Sequence, residues 1–434
     1  MKNAATRGQP RALAEVDSMI LGRAPHAVIF VGPGSTGKTT LALDLAAGLM
    51  CVDPDPGARP CRICRGCRQV ASGNHPDLHR LAPEGPGGQI RIGKATDPEP
   101  GTVRHLIGEL ALLPAEGGAR VVIVEQAHRL NDDAQNALLK MLEEPPAGVT
   151  IILCADDEEC LLPTVRSRCA RVRVGTVGGR EIEHWLGELG VAEAPRAARL
   201  ARLAGGRPGL ALAYAHSADA ERVRGEIARG LLDMLAESRA ARLASIRELM
   251  KSAASLDAAL DSWRRAGPAG DVDGPTPTGR GRKGKTTKTP APPAAADADA
   301  VPAMDVAPVE DAAAPKLAAA DRRSAAATLL DIWASVARDL SVAGAGGDRQ
   351  LRELDLVDEL RAAAAGVSSA RLGAFLARLG EIDAQLDENV NPELALDVLA
   401  LSWPRVDAAA AAPGAAAPGA AAPRAGATAP AAQG

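Results

Sequence analysis

Short apolar, β-branched runs alternate with helical patterns up to about residue 174. The runs at Ala27–Val31 (AVIFV), Val121–Val124 (VVIV) and Thr150–Cys154 (TIILC) have the length and composition of buried strands. Each run is followed by turn residues and then by apolar residues at helical spacing, as from Thr39 to Leu49. This alternation predicts a parallel α/β sheet with helices packed on it.

The strand pattern ends near residue 178, and helical spacing replaces it. From 178 to about 266 the apolar positions follow the spacing of short amphipathic helices, as at Ile182, Trp185, Leu186 and Leu189. Helical periodicity returns from about Arg322 and continues to Leu399. Two helical regions are therefore expected after the α/β part.

Two stretches show no periodicity. Residues 267–316 are rich in Pro, Ala, Gly, Asp and Thr, and they contain the basic run Arg280–Lys288, so we interpret them as a disordered linker. Residues 408–434 form an Ala/Pro/Gly tail, which is also expected to be disordered.

Composition narrows the possible classes of protein. The 434 residues are 46% hydrophobic and 24% charged, which is typical of a folded chain, and at roughly 150 residues per domain they suggest about three domains. Only seven residues are aromatic and the net charge is −4, which argues against a base-stacking nucleic-acid reader and against general attraction to nucleic acid. Neither a membrane span nor a signal peptide is expected, so we predict a cytoplasmic protein with thiols or metal ligands instead of disulfides.

The loop GPGSTGKT after the first predicted strand satisfies the phosphate-binding pattern G-x-x-x-x-G-K-[ST]. It lies between a predicted strand and a predicted helix, which is the context the motif requires. Lys38 would neutralise the β- and γ-phosphates, Thr39 would bind Mg²⁺, and the glycines would let backbone N–H groups surround the phosphates. The predicted nucleotide-binding residues are Gly32, Gly34, Gly37, Lys38, Thr39, Thr40 and Glu125.

The residues after the second predicted strand argue against rapid ATP hydrolysis. Glu125 can hold Mg²⁺ together with Thr39, although its side chain is one methylene longer than that of Asp. Gln126 cannot accept a proton and therefore cannot be the general base. His128 is a candidate substitute base, and a polar loop residue is the alternative interpretation. We expect a site that holds nucleotide and turns it over slowly or not at all.

Four of the seven cysteines lie within residues 51–67, with the spacing C-x9-C-x2-C-x2-C. They are Cys51, Cys61, Cys64 and Cys67. Thiolates at such spacings can converge on one tetrahedral Zn²⁺, and four sulfurs leave no open position, so the predicted site is structural. An iron–sulfur cluster and free buried thiols remain open as alternatives.

Several segments, in order along the chain, resemble the bacterial clamp-loader subunits of DNA polymerase III. They are HAVIFVGPGSTGKT from His26, the four-cysteine insertion, GNHPDLHRLAPE from Gly73, NALLKMLEEPP from Asn136 and LPTVRSRC from Leu162. The block NALLKMLEEPP and the Ser-Arg-Cys triplet at 167–169 are specific to clamp loaders among P-loop proteins. The resemblance is strong over residues 8–175 and weaker towards the C-terminus.

The resemblance implies the domain organisation. It implies an AAA+ P-loop domain at 1–175, with the zinc module at 51–67, a helical lid at 176–240 and an all-α collar domain at 241–407. In this family the collar joins a hetero-pentameric ring, so the expected partners are the gamma/tau and delta subunits. The sliding clamp would be an indirect partner, and primed DNA would be contacted through its phosphates.

The resemblance also implies roles for two basic residues. Arg168 lies at the position of the family's arginine finger and would reach the ATP site of the neighbouring gamma/tau subunit, where such fingers act catalytically. A surface ion pair is the alternative for Arg168. Lys140 is a candidate DNA contact, and a solvated helix lysine is an equal alternative. Contact through phosphates alone does not require aromatic residues.

Three departures from the hydrolytic elements make the chain most similar to the delta-prime subunits of this family. A gamma/tau subunit would carry an Asp-Glu pair where this chain has Glu125 and Gln126. It would also carry Thr or Asn in place of Ala155-Asp156, and an Arg near Gly209. The complete P-loop departs from many delta-prime chains. An active gamma/tau-type ATPase is therefore the alternative, and a nucleotide kinase is a less supported one.

Overall fold

The computed structural model describes residues 1–83, 88–112, 114–116, 118–266, 319–387 and 390–406. The predicted linker, 267–316, and the predicted tail, 408–434, lie outside the described residues. Among the described residues, no helix is both long enough and apolar enough to cross a bilayer.

A five-stranded parallel sheet forms the first part of the chain. Its strands are β1 Ala27–Val31, β2 Leu78–Leu81, β3 Arg120–Val124, β4 Val149–Ala155 and β5 Ala170–Arg173. The spatial order is β2-β3-β4-β1-β5, so the three strands predicted from their apolar runs are the interior strands. The two strands that the sequence did not indicate, β2 and β5, are the edges. Their sequences, LHRL and ARVR, mix charged with apolar residues because one side faces solvent.

Helices cover both faces of this sheet. They are α1 Pro10–Leu21, α2 Lys38–Leu49, α3 Arg65–Ala71, α4 Val103–Leu110, α5 Asp132–Glu143 and α6 Pro163–Arg166. One core cluster joins α1 and α2 to one face, and a second joins α4 and α5 to the other. Strand residues alternate between the two clusters, as expected for a sheet buried on both sides.

All described elements after β5 are helical. They are α7 Gly179–Glu188, α8 Ala194–Leu203, α9 Pro208–His216, α10 Ala218–Asp233, α11 Arg239–Ala266, α12 Ala319–Gly344, α13 Val357–Ala365, α14 Ser369–Asp387 and α15 Pro392–Ser402. The predicted fold class, a parallel α/β domain with the phosphate loop after its first strand and helical regions behind it, is thus confirmed, with the four cysteines gathered in its N-terminal part.

The helical part has one continuous apolar core, which extends from Val177 to Trp403. At its centre, Trp333, Phe375 and Trp403 pack against one another with ring centroids 4.5 to 5.6 Å apart. Three of the chain's few aromatic residues are therefore used to fill this core, where each buries a large apolar area. The charge of the buried Arg224 is balanced within this core by an ion pair with Glu353, which is also buried.

Candidate functional site

The phosphate-binding loop connects β1 to the first residue of α2. Gly32 has φ of 153°, and a Cβ added there would lie 1.8 Å from the backbone oxygen of Val174, so only glycine fits. Gly37 has φ of 101° and precedes α2 in the left-handed region. The turn therefore depends on glycines at both ends of the loop. The loop ends at the N-terminus of α2, where unpaired backbone N–H groups favour the binding of phosphate oxygens.

The ammonium group of Lys38 lies beneath this loop. Lys38 is 8% exposed, and its Nζ donates to the backbone oxygens of Gly32 at 2.6 Å and Pro33 at 2.8 Å. It also lies 2.8 Å from Oδ1 of Asp156, which follows β4. The glycine turn and the buried cation fit the phosphates of a nucleotide, and in this arrangement a carboxylate lies beside the same cation.

Two residues predicted to hold Mg²⁺, Thr39 and Glu125, both influence the buried Cys154 on β4. Burial, and secondarily the charge of Glu125, raise the pKa of Cys154 to about 12, while a hydrogen bond involving the Thr39 side chain opposes that rise. Glu125 itself accepts a hydrogen bond from Nε of Arg80 at 2.8 Å. The Glu125 carboxylate is therefore already engaged by an arginine at the end of the sheet where it was predicted to hold Mg²⁺.

The four cysteines of the predicted metal site converge. Their sulfur atoms all lie within 4.8 Å of one another, so the cluster could bind a metal ion. Cys51 and Cys67 are buried against the first core cluster, and Cys61 and Cys64 are partly exposed. The cluster lies at the C-terminal end of α2, about 18 Å of helix away from the phosphate loop at its N-terminal end. This separation suits a structural site better than a catalytic one.

Backbone N–H groups surround the sulfurs. Those of Cys61, Cys64 and Cys67 each donate to the sulfur of the preceding cysteine of the cluster at 3.4 Å. Burial raises the pKa of Cys67 and of Cys51. Burial also opposes ionisation of Cys64, but hydrogen bonds from the backbone of Cys67 and Val52 outweigh it and lower the pKa of Cys64 to about 6. One thiolate is therefore available at neutral pH, and the protonated thiols would release protons on binding a metal.

Arg168 follows α6 and is tied to the end of α5. Its guanidinium donates to Oε1 of Glu143 at 2.7 Å and to the backbone oxygen of Thr164 at 2.9 Å. Its side chain is 35% exposed. The two clamp-loader motifs, LEEPP and SRC, are therefore in direct contact through this ion pair. Lys140, on α5, is exposed and has no ion pair within the described ranges.

Gln135 links the same two segments, and the sequence patterns did not single it out. Its Oε1 accepts a hydrogen bond from the backbone N–H of Leu162 at 2.7 Å. Its Nε2 donates to the backbone oxygens of Leu130 at 3.1 Å and Cys160 at 3.2 Å. The side chain is 2% exposed, so this buried amide fixes the segment that leads to Arg168. The sequence did offer one indication of this role, since Gln135 is a polar residue on the apolar face of the helix predicted here.

Replacing Gln135 by alanine should lower the free energy of unfolding by about 2–3 kcal/mol, because it leaves buried backbone groups without partners. Chemical denaturation of the full chain measures this change. Gln350→Ala, at an exposed position outside the α/β domain, serves as a control and should cost little. A Gln135 variant as stable as the wild type would show that water replaces the amide.

Helix α9 also approaches the phosphate loop. The backbone N–H of Gly209 donates to the backbone oxygen of Ser35 at 3.0 Å, and a Cβ added at Gly209 would lie 3.1 Å from that oxygen. Arg207 does not take the place of the arginine that a gamma/tau subunit would carry near Gly209. It instead forms a bidentate ion pair with Asp331 on α12, at 2.7 and 3.0 Å. The arginine that immediately precedes α9 therefore pairs within the helical part of the chain.

Comparison with known proteins agrees with these motifs. Residues 8–177 match the family model described as DNA polymerase III, delta subunit. The chain is 34% identical over 227 residues to DNA polymerase III subunit delta' of Pseudomonas aeruginosa, which covers 52% of this chain and 66% of that protein. It is 38% identical over 199 residues to the subunit delta' of Escherichia coli, which covers 46% of this chain and 57% of that protein.

A tau subunit also matches. The chain is 35% identical over 198 residues to DNA polymerase III subunit tau of Salmonella typhimurium, which covers 44% of this chain and 29% of that protein. The chain thus spans between 29% and 66% of the length of these three relatives. Over residues 8–177 the chain is therefore similar to the DNA polymerase III delta-subunit family, and among clamp-loader subunits it most resembles delta-prime.

Proposed function

We propose that this chain is a delta-prime-like subunit of a DNA polymerase III clamp loader, which acts in the cytoplasm to help load the sliding clamp on primed DNA. One observation carries the proposal: the ion pair between Arg168 and Glu143 joins two motifs typical of clamp loaders. The similarity to delta' and tau subunits over the α/β domain supports it. The expected partners are the gamma/tau and delta subunits in a hetero-pentameric ring.

In this proposal the chain promotes ATP hydrolysis at the site of a neighbouring subunit more than at its own nucleotide site. Arg168 is partly exposed and its carboxylate partner is on the same chain, so the guanidinium can exchange Glu143 for a phosphate presented by an adjacent subunit. Arginine fingers supplied in trans stabilise the charge that develops on a transferring phosphoryl group. The Glu143 pair would hold the side chain extended until the neighbour binds.

The chain's own nucleotide site is proposed to bind ATP and Mg²⁺ with weak or no hydrolysis. Lys38 and the loop backbone would hold the phosphates, and Thr39 with Glu125 would hold Mg²⁺, whose charge would neutralise phosphate oxygens. Gln126, with φ of 50°, presents an amide where a general base is needed, and an amide cannot take the proton. The four-cysteine cluster is proposed to hold a structural Zn²⁺.

Co-purification tests the assembly. When this chain is expressed with the gamma/tau and delta subunits of the same source, we expect one complex of defined stoichiometry on size exclusion. Arg168→Ala should not prevent the complex from forming, since the proposed finger acts on phosphate. Recovery of this chain free of both partners would contradict the proposal.

An active gamma/tau-type ATPase is the second candidate, because the phosphate loop is complete and a tau subunit matches. ATP turnover by the isolated chain distinguishes the two. Turnover that Lys38→Ala abolishes would favour the motor over the delta-prime-like activator.

A further inference from the structure

Asp156 lies directly against the phosphate loop. It follows β4, and its Oδ1 is 2.8 Å from Nζ of Lys38. Its other oxygen faces the glycine side of the loop, because a Cβ added at Gly34 would lie 3.2 Å from Oδ2. One carboxylate thus pairs with the cation and borders the backbone turn on which phosphates would bind.

The backbone holds this carboxylate in place. The N–H of Asp156 donates to Nδ1 of His128 at 3.2 Å, and the N–H of Gly32 donates to the oxygen of Ala155 at 3.2 Å. The end of β4 is therefore bonded to the loop on one side and to the segment after β3 on the other. The side chain is 47% exposed, so it borders the space above the loop.

The charge of Asp156 bears on which nucleotide the loop accepts. In phosphate loops the backbone N–H groups surround the α- and β-phosphates, and the lysine reaches the β- and γ-phosphates. A carboxylate at hydrogen-bond distance from that lysine lies on the γ side of the site. A γ-phosphate would take the cation from the carboxylate and would place two anions side by side.

We propose that Asp156 is a specificity-determining residue that disfavours the γ-phosphate, so that the loop holds a nucleoside diphosphate in preference to a triphosphate. The inference rests on the proposed nucleotide site and adds a selectivity to it. Glu125 does not have the same effect, since Arg80 already neutralises its charge. The ion pair of Asp156 is with Lys38, the group on which the phosphates also depend.

Asp156→Asn tests the proposal, because it removes the charge and keeps an oxygen that can accept from Lys38. We expect the ratio of ATP affinity to ADP affinity to rise about tenfold, which is ~1.4 kcal/mol. Titration calorimetry with Mg·ATP and Mg·ADP on the full chain measures both affinities. Asp157→Asn is the matched control: its carboxylate accepts from the backbone N–H of Glu159, and the ratio should not change.

The other outcomes separate this inference from the proposed nucleotide site. An Asp156→Asn chain that binds both nucleotides more weakly or more tightly by the same factor overturns the selectivity and leaves the site standing. Unchanged affinities with slower release of phosphate from ATP would assign Asp156 as a base and would also overturn it. If neither the wild type nor the variant binds either nucleotide, the nucleotide site fails and the inference fails with it.

Discussion

Replacing both Cys61 and Cys64 by serine is expected to release one zinc ion per chain and to lower the free energy of unfolding by several kcal/mol. Structural zinc sites in zinc-finger peptides are worth about 10–16 kcal/mol, and here the remaining core retains part of the fold. The loss should be large because Cys51 and Cys67 belong to the core cluster that packs α2 on the sheet. Metal analysis and denaturation of the full chain measure the two effects.

Cys160→Ser is the matched control, since Cys160 lies outside the cluster, and it should keep the zinc. Zinc affinity should decrease as pH falls even through neutral values, because binding displaces protons from the Cys51 and Cys67 thiols, and it should decrease more steeply below about 6, where the Cys64 thiolate is also protonated. Wild-type protein that contains iron and sulfide, or no metal, would contradict the zinc assignment.

Arg168→Ala is expected to leave the ring assembled and to lower the rate of hydrolysis at the neighbouring ATP site by about 10³-fold or more, as for arginine fingers in trans. The stability of the isolated chain should change little, because partly exposed ion pairs such as that with Glu143 are worth ~0–1 kcal/mol. Clamp- and DNA-stimulated ATPase of the reconstituted loader measures the rate.

Arg166→Ala removes the same charge two residues earlier, at the end of α6, and should preserve the stimulated ATPase. Equal activity in the Arg168 variant and the wild type would leave Arg168 with the role of a surface ion pair. A variant that no longer assembles would place it in the subunit interface instead.

The interior of the sheet could be predicted from the sequence, and its edges could not. The strands β1, β3 and β4 are buried on both faces, so their sequences are continuous apolar runs. The edge strands carry arginine and histidine, as His79 and Arg80 on β2 illustrate, and these residues hide the strand pattern. The distinction follows from solvent contact at the edges of a sheet.

The candidate sites follow the same division. The phosphate loop and the cysteine cluster are contiguous in sequence, so their spacing alone indicates their chemistry. The contacts that modify them are between distant segments: Asp156 meets Lys38 across 118 positions, and Arg80 meets Glu125 across 45. Composition and periodicity carry no information about such pairs. Gln135 was missed for the same reason, because its partners lie in two loops.

The continuous core of the helical part has a consequence for how the chain unfolds. Apolar residues on both sides of residue 240, the predicted end of the lid, belong to one cluster, and Trp403 near the end of the described chain donates to the backbone oxygen of Leu231 at 2.9 Å. Residues that share one core lose its contacts together, so α7–α15 should melt as a single cooperative unit. A shortened chain that stopped at residue 240 would expose to water the apolar residues of α7–α10 that now pack against the later helices, and it would tend to aggregate.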